Sequence, residues 1–232
     1  MSYVFPFTSA SFILEGIFLS VFAYNRFYEY HRSPNYVTRQ YWLASLCVSL
    51  ALFVYGLPAV FTSNHAILSP FATAALLINA IGFSNFFLIP LNVWLRPSRY
   101  ILAKYGLYLF VVALAACMII DPPMTMMTGG IVHWRFGPLI GTLAAMHMDI
   151  AFALNIVLLG LHFYRFKGLP ALNAILLIIT FTLTGLGGTY LYMGDVSHLL
   201  ALASISLCMG IGAIFFSVVR GSIAKLLNWQ YR

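Results

Sequence analysis

Residues 67–95 read ILSPFATAALLINAIGFSNFFLIPLNVWL, a stretch without a charged side chain. A helix needs roughly 20 predominantly apolar residues to cross the hydrocarbon core of a bilayer. This stretch meets both requirements, length and apolar character. It predicts a transmembrane helix and sets the fold class for the rest of the chain.

The composition of the whole chain agrees with this prediction. Hydrophobic residues make up 62% of the 232 residues, charged residues only 7%, and the mean hydropathy is +0.93. The surface of a soluble protein of this size needs more charge, whereas a lipid-facing surface needs almost none. We therefore expect an integral membrane protein whose first partner is the lipid bilayer.

Seven stretches of suitable length follow one another along the chain. We expect a single all-α domain, residues 1–232, that forms a polytopic bundle of seven transmembrane helices. The first stretch has no basic segment before it and carries Glu15 in its middle, so we interpret it as a retained helix rather than a signal peptide. The predicted helices lie near 6–25, 41–62, 67–95, 100–120, 136–164, 169–193 and 196–220.

The distribution of Lys and Arg predicts the orientation, because positively charged loops stay in the cytoplasm. All but one of the 12 Lys and Arg residues lie beside the ends of the first, third, fifth and seventh spans. The exception is Arg135, between the fourth and fifth spans. We therefore predict an N-terminus outside the cytoplasm and a C-terminus inside. Because the basic residues are spread over four regions rather than one face, we expect no nucleic-acid partner.

The longest segment on the predicted outer side joins the fourth and fifth spans. It begins with Asp-Pro-Pro at 121–123 and carries Gly-Gly at 129–130. The prolines stop a helix, the glycines permit a sharp turn, and Trp134 suits the level of the lipid headgroups. Two interpretations stay open, an ordinary interfacial loop and a lid over a pocket that faces outward.

Ionisable and amide side chains inside the spans are costly in lipid and indicate functional candidates. Glu15 lies near the centre of the first span, and His147 and Asp149 lie near the centre of the fifth. His147 and Asp149 are about 200° apart around a helix, so only one of them can face Glu15. A contact of Glu15 with either residue would form a buried pair. The candidate site is this central polar cluster, with Asn85, Asn92 and Asn155 as secondary members.

Three interpretations of this cluster stay open: hydrogen bonds that fix helix packing, a ligand-binding site, and a path for protons or ions. The three lysines lie near the predicted cytoplasmic boundary, so none can hold retinal in mid-membrane. The histidines within the spans lie at different depths, which disfavours a haem. No motif of a zinc protease, a P-loop or a serine hydrolase is present. We expect no enzyme activity, no metal and no cofactor.

From Arg39 onward four features occur in order. These are RQYWL at 39–43 before the second span, FLIPLNVW at 87–94 closing the third, YRFK at 164–167 before the sixth, and a basic exit at 215–225. In this order the chain resembles the N-terminal seven-transmembrane sensor region of bacterial histidine-kinase-type signalling proteins. The resemblance implies a bacterial inner membrane, a receptor-like role in signal transduction, and a small or lipophilic signal bound among the outer halves of the helices.

The chain carries no kinase, cyclase or receiver domain after the last span, so we expect the signal to pass to a separate cytoplasmic or membrane protein. Two other functions stay open. One is a non-catalytic accessory or scaffold subunit of a larger membrane complex. The other is a small transporter or proton-linked carrier, although seven spans without a visible repeat are not typical of that class.

Overall fold

The computed structural model describes residues 7–128, 130–162 and 169–193, and a few later positions at 203, 204, 207 and 210–212. A two-stranded antiparallel sheet, β1 (Met124–Thr128) and β2 (Ile131–Arg135), lies between the fourth and fifth helices. The helices are α1 (Phe7–Arg32), α2 (Tyr36–Phe61), α3 (His65–Trp94), α4 (Pro97–Ile120), α5 (Pro138–His162) and α6 (Leu169–Met193).

All six helices are long and apolar enough to cross a membrane by length and composition. The coarse prediction of a helical bundle of membrane-spanning type is therefore confirmed for these six. The predicted seventh span near 196–220 lies mostly outside the described residues, as do the basic segment at 163–168 and the C-terminal residues. The count of seven and the orientation stay predictions.

The first helix is longer than its hydropathy indicates. α1 continues past the predicted end near residue 25 because its polar residues bond within the helix. The Asn25 amide donates to the Val21 carbonyl at 3.0 Å, and Arg26 pairs with Glu29 at 2.6 Å. The next helix begins where Asn35 caps it by accepting the Val37 N–H.

The central element is α3, which packs against α2, α4 and α5 and is the most deeply buried helix. α1 packs on α2, and α5 packs on α6. A Cβ at Gly82 would lie 3.1 Å from the Ala44 carbonyl oxygen, so this glycine lets α3 approach the backbone of α2. α4 is the least buried of the six helices and packs mainly on α3.

Residues 124–135 form a β-hairpin, which the prediction of an all-α fold missed. Its turn contains Gly130 at a φ of 79°, a conformation that favours glycine. Thr125 pairs with Trp134 across the strands, and both side chains are buried against the bundle. Met124 and Met126 point outward and are exposed. The alternation that defines a strand thus presents an inward and an outward face.

The hairpin closes one end of the bundle. The Val132 N–H donates to the Thr8 hydroxyl at 3.0 Å, and the Phe7 N–H donates to the Gly130 carbonyl at 2.7 Å. The Ser69 hydroxyl donates to the Pro123 carbonyl at 2.6 Å. These bonds fasten the hairpin to the starts of α1 and α3. We call this the hairpin end, and the opposite end, which carries Arg32, Arg39, Arg96 and Arg99, the basic end.

Trp134 does not lie at an exposed headgroup level, which corrects the interpretation made from the sequence. Its side chain is 3% exposed, and its ring meets those of Phe12 and Tyr55 edge-on at centroid distances of 5.1 and 5.4 Å. Edge-to-face contacts of this kind stabilise buried aromatic rings beyond the area they bury. The segment therefore packs as a plug rather than as a loose loop.

Candidate functional site

His147 joins α5 to α3. Its Nε2 lies 3.2 Å from the Ala80 carbonyl oxygen and 3.2 Å from the Ser84 hydroxyl. A carbonyl only accepts, so Nε2 carries a proton and donates to it. The imidazole ring lies near the rings of Phe87 and Phe110, at centroid distances of 5.0 and 4.7 Å. His147 is thus held by hydrogen bonds and by aromatic contacts.

Asp149 faces the opposite way, toward α6. Its Oδ2 accepts a hydrogen bond from the Thr189 hydroxyl at 2.6 Å, and its Oδ1 lies 3.3 Å from where a Cβ on Gly185 would sit. The two-position spacing therefore sends His147 and Asp149 to different neighbours, as helix geometry requires. The hydrogen bonds of His147 thus lead to α3, and that of Asp149 leads to α6.

Glu15 is fully buried on the face of α1 that also carries Phe12 and Leu19. These residues are three and four positions apart, so they form one stripe along the helix. The stripe faces the bundle rather than the surface. The expectation that this carboxyl lies inside the bundle agrees with its position.

The three amides differ in their surroundings. Asn155 is fully buried, and its Nδ2 donates to the Phe86 carbonyl of α3 at 2.9 Å while its Oδ1 accepts from the Tyr41 hydroxyl at 3.4 Å. Asn85 is buried and donates within its own helix to the Ile81 carbonyl at 2.8 Å. Asn92 is exposed near the end of α3, outside the buried core, because the helix leaves the bundle there. Asn155 therefore links α5, α3 and α2, whereas Asn92 links nothing within the core.

The structure contains a second polar region, and none of its residues is among the predicted site residues. At the hairpin end a cavity of about 400 Å³ lies between the end of α4, the base of the hairpin, the start of α5 and the end of α6. It contains a carboxylate from Asp121 and a guanidinium from Arg135, with Thr142 as a further polar group. Apolar walls come from Met124, Phe136, Pro138 and Met193.

Tyr192 connects this cavity to the bundle core. It lines the cavity, and its ring meets that of Phe136 edge-on at a centroid distance of 5.7 Å. Its hydroxyl accepts a hydrogen bond from the Asn79 amide of α3 at 2.8 Å, and Tyr55 of α2 lies near enough to interact with it. A displacement of Tyr192 would therefore alter its contacts with Tyr55 of α2 and Asn79 of α3.

One feature of the sequence marks this region. Arg135 is the single basic residue that the predicted orientation places on the outer side. Asp121, at the other end of the same segment, carries the opposite charge. The cavity itself was not predictable, since Tyr192 comes from a distant part of the chain.

Within the described part of the chain, no three His, Cys, Asp or Glu side chains come close enough together to hold a metal ion. The cavity offers one acceptor, one cation and a hydroxyl beside aromatic walls. Such a set orients a small polar or amphiphilic molecule.

Replacing His147 separates its two roles. His147→Phe keeps a ring between Phe87 and Phe110 and is expected to cost about 1 kcal/mol through the lost hydrogen bond. His147→Ala also loses the ring contacts and is expected to cost about 3 kcal/mol. Unfolding by denaturing detergent in mixed micelles measures both. Equal costs for the two variants would show that ring packing contributes nothing.

Comparison of the sequence with protein-family models and with curated proteins finds no match. The resemblance to histidine-kinase sensor regions therefore stays a prediction.

Proposed function

We propose that this chain is a sensor-like or receptor-like membrane module that binds a small ligand at the hairpin end and acts through a separate protein. The observation that carries the proposal is the cavity of about 400 Å³ with a carboxylate and a guanidinium on its walls. Its volume is within the range of small-molecule sites, about 300–1,000 Å³. The ligand that fits is a small amphiphile with a charged or strongly polar head.

The cavity is lined by several elements of the bundle, so a ligand bound there could change their arrangement. A ligand there would touch the hairpin through Arg135, α4 through Asp121 and α6 through Tyr192. Binding shifts a conformational equilibrium only if these contacts differ between two arrangements. Because the neighbour of Arg135 is the buried Trp134, and Tyr192 bonds to Asn79, a ligand that draws these elements together would also move side chains in the core.

The charge distribution supplies the direction of the signal. In the orientation that the loops predict, the hairpin end faces outside and the basic end faces the cytoplasm. A ligand from outside would reach the cavity, and the partner would contact the basic end. We place the protein in a bacterial inner membrane as part of this proposal.

A second candidate function is a non-catalytic accessory subunit of a larger membrane complex. The observation in its favour is α4, whose outer face exposes Leu102, Leu109 and Ile119 to 74%, 69% and 83%. Such a face suits lipid, and it also suits the helix of another membrane protein. In this case the cavity would have no ligand of its own.

Native mass spectrometry of the protein purified in mild detergent tests both functions. We expect a small non-covalent mass on the wild type and a loss of about tenfold or more in its occupancy in Arg135→Gln, because hydrogen bonds to a charged group are strong. Asp121→Asn should weaken the same complex. The control is Arg32→Gln, an exposed arginine at the opposite end, which should leave the occupancy unchanged.

The outcomes separate the candidates. A stoichiometric protein that stays bound in every variant, without a small ligand, would favour the accessory subunit. A small molecule that is bound equally by wild type and Arg135→Gln would contradict the hairpin-end site. If neither ligand nor protein is found on the wild type, the sensor proposal loses its main support.

A further inference from the structure

The basic end contains a contact that ties two helix starts together. Tyr36 at the start of α2 meets Tyr100 in the first turn of α4, with their rings edge-on at 5.9 Å and their hydroxyl groups in hydrogen-bond contact. α3 lies between these helices in the chain, so the contact closes the bundle at this end. It is a notable restraint on α4, the least buried helix.

Three arginines lie at the starts of the two helices that this contact joins. Arg39 follows Tyr36 by one helical turn and lies close enough to its hydroxyl to interact electrostatically. Arg96 and Arg99 flank the first residues of α4, next to Tyr100. All three side chains are exposed. They therefore place three positive charges at the starts of α2 and α4.

No acidic side chain in the described part of the chain forms an ion pair with these three arginines. Among the described residues at the basic end, the acidic one is Glu29, which pairs with Arg26 at 2.6 Å. The first turn of α4 adds to the positive potential, since it begins with Pro97 and has no side-chain cap. The arginines carry most of this charge, and their exposed side chains are available to an external anion.

The position of this charge identifies the anion. The arginines lie where membrane-spanning helices begin, and aromatic side chains of the interface type surround them, including Trp94 at 41% and Tyr105 at 68% exposure. A cytoplasmic leaflet is negatively charged at this level. Arginine forks match phosphate oxygens, and tyrosine hydroxyls can donate to them.

We propose that Arg39, Arg96 and Arg99, together with Tyr36 and Tyr100, form a docking site for the phosphate headgroup of an anionic phospholipid that holds the start of α4 against the start of α2. The site is independent of the ligand cavity at the opposite end. A bound headgroup adds to the tyrosine contact and stabilises a helix that otherwise depends on α3.

The test uses the full chain in mild detergent, titrated with phosphatidylglycerol or with phosphatidylcholine, and native mass spectrometry counts the bound lipids. The wild type is expected to prefer phosphatidylglycerol about tenfold or more, since each arginine at such a surface contributes roughly fivefold. The triple variant Arg39→Gln, Arg96→Gln, Arg99→Gln should lose most of this preference. In detergent the result does not depend on membrane orientation.

A matched variant controls for net charge. Arg32→Gln, Arg165→Gln, Lys167→Gln removes the same amount of positive charge from other basic positions and should keep the preference for phosphatidylglycerol. A second measurement needs no variant, because the preference of the wild type should fall as ionic strength rises. The proposal is overturned if the wild type binds both lipids equally, if the control triple loses as much as the arginine triple, or if salt has no effect.

Discussion

Gly141→Ala is expected to destabilise the protein by about 1–3 kcal/mol, although alanine favours a helix more than glycine does. A Cβ at this position would overlap the backbone carbonyl oxygen of Tyr192. A backbone atom cannot rotate away, so the start of α5 must move from the end of α6. Denaturing-detergent unfolding in mixed micelles measures the cost, and the ligand-bound mass tests whether the adjoining cavity opens at the same time.

Gly160→Ala is the matched control on the same helix. Nothing lies within 4 Å of where its Cβ would sit, and the position is exposed. Here the helix propensity of alanine acts alone, and we expect a gain of about 0.5–1 kcal/mol. The two substitutions should therefore differ in sign. A Gly141→Ala protein as stable as the wild type would refute the close packing of α5 on α6.

Trp134→Ala is expected to cost about 3 kcal/mol or more and to release the hairpin from the bundle. The side chain is buried against Phe12 and Tyr55, and its removal leaves a space that the two rings cannot fill. Release should appear as faster amide hydrogen exchange across 124–135 and as easier proteolysis there. It should also weaken ligand binding, because Arg135 is the next residue and lines the cavity.

Trp94→Ala provides the control, since this tryptophan is 41% exposed at the opposite end. It removes an equal amount of aromatic surface and should cost about 1 kcal/mol or less. Unchanged hydrogen exchange in the hairpin of Trp134→Ala would mean that the hydrogen bonds it makes with Thr8 and Ser69 suffice to hold it in place. The contacts of Trp134 with Phe12 and Tyr55 would then contribute little to the position of the hairpin.

The hairpin shows how a signal present in the sequence can be interpreted wrongly. The pair Gly129-Gly130 between two short runs is a hairpin signal, but the sequence analysis predicts only a sharp turn, within an interfacial loop or a lid. Nothing in the run itself distinguishes an inward Trp134 from one at the headgroup level. Its orientation follows from Phe12 and Tyr55, which lie far away in the chain.

For the polar residues, too, the sequence predicts the local geometry, and the tertiary structure decides the partners. The rotation between His147 and Asp149 follows from helix geometry, and the structure turns them to α3 and α6 accordingly. Which helix each side chain would meet was not predictable from the sequence. His147 bonds to the Ala80 backbone carbonyl and lies within hydrogen-bond distance of the Ser84 hydroxyl. Nothing in the sequence pattern indicates either partner.

The sequence by itself determined that the chain forms apolar helices long enough to span a membrane, and where most of them begin and end. The physical reason is local, because each span must satisfy its own backbone hydrogen bonds and expose apolar side chains to lipid. Only the tertiary structure decided which polar groups meet, how the hairpin is seated, and that Asp121, Arg135 and Tyr192 line one cavity. Those contacts depend on the packing of helices that are distant in the chain, and local hydropathy carries no information about them.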